Sequence, residues 1–263
     1  MKQSLSLSLS LVCLFGTLLQ FSPASAQVTP DNTTSTTVNQ DGNNFEINDG
    51  ERAGGNLFHS FRDFSVPTGG EAFFNNAADL AKIFSRVTGG NVSNIDGLIR
   101  ANGSASLFLI NPAGIMFGEN ARLDIGGSFL GSTADSLLFE DGEFSATDKN
   151  NPPLLTINAP IGLGFRDNPA EITNRSVADD VGLQVLPGQQ ITLLGGNLNL
   201  SGGRITAPGG VINLGGLATA GTITFEQAGN FSFPDNVAQA NIFLTDNAVV
   251  DITSDGGGLI RAC

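Results

Sequence analysis

The chain of 263 residues contains no Trp, no Tyr, one His and two Cys, and only 14% of it is charged. Each shortage removes a class of protein. Two cysteines cannot staple a disulfide scaffold of this size. Lysine occurs only at Lys2, Lys82 and Lys149, and 25 acidic residues against 12 basic ones leave a net charge of −13. A chain so poor in cations has no basic face to neutralise phosphates, which argues against a nucleic-acid partner. The apolar share of 40% is enough to bury a core, so disorder is excluded as well. The acidic balance reads as solubility and repulsion from anionic membranes, not as a ligand site.

The first residues read as a targeting segment. Lys2 supplies a short positive region, Leu5 to Leu19 is a mostly apolar run, and Ala24-Ser25-Ala26 is a small-x-small site before Gln27. The run falls short of the ~20 apolar residues a membrane span needs. The expectation is a Sec-type signal peptide over 1–26, cut between Ala26 and Gln27, and a body over 27–263. Loss of Lys2 leaves 11 basic against 25 acidic side chains, or −14. Cys13 departs with the signal, and Cys263 alone closes no internal disulfide, so packing and backbone hydrogen bonds must hold the body together. No later segment is long and apolar enough to cross a bilayer as a helix.

What the chain has in plenty is Gly (34), Asn (25) and Phe (19), the composition of many turns between short strands. Short β-branched or Phe-rich runs recur at 45–47, 57–66, 72–74, 83–87, 98–99 and 106–110. Others follow at 154–157, 191–194, 197–200, 211–214, 222–225, 242–244 and 249–252. The polar stretch 27–44 reads as a strand-poor lead-in. The segment 77–85 is open to a helical turn, with Leu80, Ile83 and Phe84 on one side.

Spacing decides the architecture. Gly pairs fall at Gly195-Gly196, Gly202-Gly203, Gly209-Gly210 and Gly215-Gly216, so three strands and three turns occupy 20 residues. Gly69-Gly70 and Gly89-Gly90 are also 20 apart. A coil of roughly 20–25 residues with three short strands is the unit of a parallel β-helix. A β-sandwich would place its turns every ~8–12 residues. The expected fold is therefore an all-β, three-faced parallel solenoid of roughly ten coils, about 50 Å long at ~4.8 Å per coil. Ile191, Leu193, Leu198 and Leu200 should point inward. Asn side chains at the corners should stack from coil to coil, and Gly should supply corners with φ > 0. The N-terminal end needs a cap, because an open coil edge pairs with other chains. The chain stops at Gly256-Gly257-Gly258-Leu259-Ile260-Arg261-Ala262-Cys263 without a polar closing segment, which reads as an N-terminal fragment or a truncated product.

A series of short motifs arrives in order: Asn56-Leu57-Phe58-His59-Ser60-Phe61, Phe73-Phe74-Asn75-Asn76-Ala77, Arg86-Val87-Thr88-Gly89-Gly90 and Ile95-Asp96-Gly97. Ile99-Arg100-Ala101-Asn102-Gly103-Ser104 and Leu107-Phe108-Leu109-Ile110-Asn111-Pro112-Ala113-Gly114-Ile115-Met116-Phe117-Gly118 follow, and then Gly127-Ser128-Phe129-Leu130. The series resembles the filamentous-haemagglutinin N-terminal domain, the secretion domain of two-partner (type Vb) exoproteins, in the form common among cyanobacteria. The resemblance runs from about Thr33 to the end. It implies a right-handed parallel β-helix with an N-terminal cap, export across the inner membrane by the Sec machinery, and hand-over to an outer-membrane β-barrel transporter with periplasmic POTRA domains. It further implies a secreted or cell-surface destination reached through the periplasm, and no enzyme activity, cofactor or metal. The family's Asn-Pro-Asn-Gly-Ile turn falls on Asn111, Pro112, Gly114 and Ile115, with Ala113 in place of its second Asn. The family's Asn-Pro-Asn-Leu motif has no clear match, and Asn75-Asn76 stands as a possible second Asn-rich turn.

The residues themselves also account for the turn: Asn111 caps it, Pro112 fixes φ, Gly114 gives freedom and Ile115 restarts a strand. A well-made corner and a recognition element are both open readings. The alternative functions are a carbohydrate- or surface-binding adhesin module and, less favoured, a polysaccharide-degrading enzyme. Enzyme candidates are Asp179-Asp180, Glu140-Asp141, Glu143 and Arg175, all in loop-like sequence where acids are usually just solvated. His59, alone in an apolar run, reads as a structural residue facing away from Phe58 or against the cap. Asp31, Asp41, Asp49 and Asp63 are too scattered for a calcium loop. The Asn-x-Ser/Thr triplets at Asn32, Asn91, Asn102 and Asn174 read as turn chemistry.

Overall fold

The structure is a computed structural model that describes residues 27–148, 155–226 and 230–263. The expected signal peptide, Ala26 of its cleavage site, and Leu154 lie outside the described residues.

One coil consists of three short strands and three corners. The chain leaves the strand Asn56–Phe64 on a long face, touches a second face at Val66, and crosses a third face as Glu71–Phe74. It then returns to the long face as Lys82–Val87. Pairing between coils is parallel and in register: Leu57 lies beside Ile83, Ile83 beside Leu107, Leu107 beside Phe129, and Ile191 beside Ile212. These neighbours are 26, 24, 22 and 21 residues apart in sequence, the coil length that the Gly pairs imply. Inward positions form an apolar column along the axis. Ile191, Leu193, Leu198 and Leu200 are all buried in it, as the alternation requires.

Among the described residues the long face holds seven parallel strands, not ten coils' worth. The shortfall has a physical cause. Phe129 pairs with Ile191 and Ile212 with Ile260, jumps of 62 and 48 residues. In each interval the chain leaves the solenoid and builds an antiparallel sheet beside it. That lateral sheet runs in the order Gly142–Ser145, Ser136–Phe139, Gly162–Phe165, Gly221–Phe225, Phe231–Ser232. It covers the outer side of the long face, so a second apolar layer forms there. Phe58, Phe84 and Ile110 pack outward against Leu137, Phe144, Leu163 and Ile223, all of them buried. The rings of Phe58 and Phe144 sit edge to face at 5.2 Å.

The lead-in is not strand-poor. Val28–Pro30 runs antiparallel to Asn56–Phe64, Thr37–Asp41 antiparallel to Asn44–Asn48, and Glu51–Ala53 antiparallel to Asn56–Phe64. These strands supply backbone partners to the first coil and close its open edge, which is the cap the solenoid needs. Their polar composition hid them, because one side of a capping strand faces water. The expected strand at 154–157 is absent over its described part, Leu155 to Ile157. At 77–85 the chain makes a turn closed by Leu80 N–H donating to Ala77 O at 3.2 Å, and the strand begins at Lys82.

The pairs Gly202-Gly203 and Gly209-Gly210 sit at corners, where positive φ explains only the first member, whereas Gly195 and Gly215-Gly216 lie in long-face strands and have no positive φ. Gly209 has φ +61°. Gly210 does not, and a Cβ there would collide with the Gln189 carbonyl oxygen of the preceding coil. The second glycine is needed for close approach of stacked backbones.

The Asn111 corner and the N-terminal junction

Asn111 follows the long-face strand Ser106–Ile110, and Ile115 opens the second-face strand Ile115–Phe117, so the four-residue turn is a corner of the solenoid. Gly114 N–H donates to Asn111 O at 3.0 Å, which closes the turn, and Gly114 has φ +120°. The Asn111 side chain is fully buried and almost fully used. Its Nδ2 donates to Asn91 O and to Ser93 Oγ, both at 2.9 Å, and its Oδ1 accepts from Ala113 N–H at 2.9 Å. Both amide protons thus tie this coil to the one before it. Ile115 is buried in the solenoid core, while Pro112 and Ala113 remain partly exposed at the rim of a shallow groove of about 310 Å³. Thr88, Thr147 and Arg166 complete that rim.

Asn75 and Asn76 form a different corner, on the third face, so the structure does not bring the two candidate turns together. They show the stacking that Asn at corners predicts. Asn75 Nδ2 donates to Asn48 Oδ1 at 2.9 Å, and Asn102 Nδ2 donates to Asn75 Oδ1 at 3.3 Å, a ladder over three coils. Asn76 is buried and exchanges bonds with Asn102 of the next coil: its Oδ1 accepts from Asn102 N–H at 2.9 Å and its Nδ2 donates to Asn102 O at 3.0 Å.

His59 is an inward residue under the cap, as alternation places it. Its Nδ1 is 3.0 Å from Thr36 Oγ1 and its ring lies 5.5 Å from that of Phe74. Burial pushes its pKa down to about 3, against a smaller opposing pull from the Asp49 carboxylate, so the imidazole is neutral in the fold.

One functional-looking feature escaped the sequence reading: Arg86 is fully buried. Its Nε donates to Ser60 Oγ at 2.8 Å, its Nη2 to Thr33 Oγ1 at 2.9 Å, and its Nη1 to the Ser145 carbonyl oxygen. The guanidinium stands 4.7 Å over the Phe144 ring. Asp31 gathers the other ends of this network, accepting from Ser60 Oγ at 2.6 Å and Thr88 Oγ1 at 2.8 Å. Burial pushes the Asp31 carboxyl up, but the donors Ser60, Thr33 and Thr88 outweigh it and hold the group below the ordinary value. The available signal was a cation inside the apolar strand Ile83 to Val87.

The enzyme candidates do not converge. Glu140, Asp141 and Glu143 are exposed on the hairpin of the lateral sheet, and Asp179 and Asp180 are exposed in a short turn at Ala178–Asp180. Arg175 is exposed near the end of a second-face strand. Asp179 pairs with Arg122 at 3.7 Å, a solvated surface contact. Among the described residues no group of three or more His, Cys, Asp or Glu side chains is placed to hold a metal, and no helix is long and apolar enough to cross a membrane.

The comparisons with known proteins agree with this architecture. The TPS secretion domain family matches residues 26–261. The heme/hemopexin-binding protein of Haemophilus influenzae (strain ATCC 51907 / DSM 11121 / KW20 / Rd) is 25% identical over 204 residues, which is 77% of this chain. The match takes in 19% of that relative, so the chain spans about a fifth of its length. Among solved structures, the HMW1 secretion domain from Haemophilus influenzae is similar with a TM-score of 0.51 and 23% identity, covering 90% of this chain and 55% of that one. A filamentous hemagglutinin secretion domain is similar with a TM-score of 0.50 and 18% identity, covering 89% of this chain and 77% of that one. At those identities the structural likeness is one of fold. With nearly the whole body matched, the chain belongs to the TPS secretion domain family, the secretion domains of two-partner secreted exoproteins.

Proposed function

We propose that this domain is read in its unfolded form by an outer-membrane β-barrel transporter with periplasmic POTRA domains, after export by the Sec machinery and removal of residues 1–26. Asn111, Pro112, Gly114 and Ile115 are the segment read. The observation that carries the proposal is the burial of Asn111, whose two amide protons and carbonyl oxygen are all engaged within the fold. Ile115 is buried as well. A receptor that recognises these two side chains has to meet them before the corner forms. An extended segment adding a strand to a receptor sheet gains affinity from its backbone and specificity from alternate side chains.

Folding outside the cell then withdraws the segment from the receptor and opposes backsliding, because each coil that closes buries its apolar column. The domain next acts as a template. Among the described residues the strand Leu259–Ala262 pairs only with Val211–Gly216, and Leu259 and Ile260 are exposed. Further coils stack on that edge by the same in-register parallel pairing. The domain itself carries no enzyme activity in this account, and its product is a secreted or surface-held exoprotein.

The test is co-expression with the neighbouring outer-membrane barrel, scoring the chain in the medium, for the natural sequence and for Asn111→Ala/Gly114→Ala. Secretion should need the barrel and should fall in the double variant. Undiminished secretion of the variant removes the turn from the mechanism. Lost secretion in proportion to lost stability of the purified domain reassigns it to folding alone.

A further inference from the structure

Arg86 joins three parts of the chain that are remote in sequence. Thr33 belongs to the cap, Ser60 to the first coil, and Ser145 to the lateral sheet, 59 residues beyond Arg86. The guanidinium occupies the outward side of the long face, in register between Ser60 and Ile110, where a side chain would meet water were the lateral sheet not there. Ser60 Oγ and Thr33 Oγ1 each accept from Arg86 and each donate to Asp31, so two hydroxyls relay the cation to the buried carboxylate. Phe144 covers the guanidinium face.

We propose that Arg86 is a latch that makes closure of the N-terminal cap conditional on docking of the lateral sheet. A buried guanidinium with an unmet N–H is strongly unfavourable, and the Ser145 carbonyl is the acceptor for Nη1. Until Gly142–Ser145 is in place, that N–H requires water, and the site where Thr33 packs stays wet. Cap and lateral sheet therefore close as one cooperative unit, begun by the hairpin Ser136–Phe139 and Gly142–Ser145 and extended later by Gly221–Phe225 and Phe231–Ser232 of the same sheet. A chain that emerges N-terminus first holds its cap open until residue 145 has arrived, and the solenoid locks only after its first four long-face strands are out.

The test is native-state hydrogen exchange on residues 27–263 with Thr33→Val and Phe144→Leu. Each of these side chains touches Arg86, and neither is hydrogen-bonded to the other. Phe144→Leu should speed exchange at the cap amides Asp31 and Ser65, which donate to Ser60 O and Gln27 O, by about tenfold or more (~1.4 kcal/mol). Amides of the strand Val211–Gly216 should be unchanged. The double variant should lose less protection than the product of the single effects. In an Arg86→Met background, Phe144→Leu should have no further effect on the cap. Should Arg86→Met not fold, Arg86→Lys, which keeps the charge and loses the three-way fork, serves as that background. Multiplicative single effects, an effect of Phe144→Leu that persists without Arg86, or loosening confined to the lateral sheet would overturn the latch.

Discussion

Asn111 Nδ2 donates to Ser93 Oγ at 2.9 Å across the seam between two successive coils, with both residues fully buried. The bond makes the corner a tie between coils as well as a turn. Asn111→Ala leaves Asn91 O without its side-chain donor and opens a small void. The expected loss is about 1–3 kcal/mol in chemical denaturation. A loss well under 1 kcal/mol would mean that the corner holds without this side chain.

The two asparagines of the third-face corner should differ. Asn76 is buried and bonded to the backbone of Asn102, whereas Asn75 is exposed and bonds mainly to other side chains. Asn76→Ala should cost about 1–3 kcal/mol and Asn75→Ala under about 1 kcal/mol, because water replaces exposed bonds and not buried ones. Denaturation midpoints of the two variants with unchanged slopes check the ordering.

Acid should weaken the domain through His59. Its pKa is about 3 in the fold against 6.5 for a free imidazole, so the unfolded chain takes up a proton that the folded chain refuses. The stabilisation is complete above about pH 6.5 and declines as pH falls from there toward 3, by at most ~1.4 kcal/mol per pH unit. Asp31, held below its ordinary value, adds a loss of the same sign at lower pH. Midpoints in guanidinium chloride at pH 7, 6 and 5 should fall steadily in the natural chain and less steeply in His59→Gln. Equal slopes would remove His59 as the cause.

Substitution at glycine separates the two reasons for its use. Gly69 has φ +71° and open space around it, so Gly69→Ala carries backbone strain alone, about 1–2 kcal/mol. Gly210→Ala drives a methyl into the Gln189 carbonyl and must push two coils apart, so it should cost more than Gly69→Ala, about 3 kcal/mol or beyond. Thermal melts of both variants decide the order.

The solenoid was legible because its corners are written in glycine and asparagine. The pairs from Gly195 to Gly216 give the coil length, and the ladder Asn48–Asn75–Asn102 is spaced one coil apart. The lateral sheet was not legible: Leu137, Phe139 and Phe144 lie between 110 and 154, where the short apolar runs mark no strand, and Gly221–Phe225, which does coincide with such a run, looks like a coil strand until its partners are known. A hint existed. Leu107-Phe108-Leu109-Ile110 is continuously apolar, and so is much of Ile83 to Val87, the pattern of a sheet covered on both sides. Alternation alone would have sent Phe58 and Phe84 into water, where they do not lie. Arg86 was missed for the same reason: its acceptors come from the cap and the lateral sheet, neither of which periodicity describes.

The central claim is that the partner transporter reads the unfolded domain and that folding ends the interaction. The most direct measurement is the affinity of the transporter's isolated periplasmic domains for residues 27–263 across a series of decreasing stability: the natural chain, Gly69→Ala and Gly210→Ala. With a typical folding stability of ~5 kcal/mol, the natural chain exposes its turn in fewer than about one molecule in a thousand, and apparent affinity is reduced by that fraction. The account predicts that affinity rises as stability falls, on the order of a thousandfold between the natural chain and one that no longer folds. Equal affinity across the series, or tightest binding by the most stable chain, would contradict it.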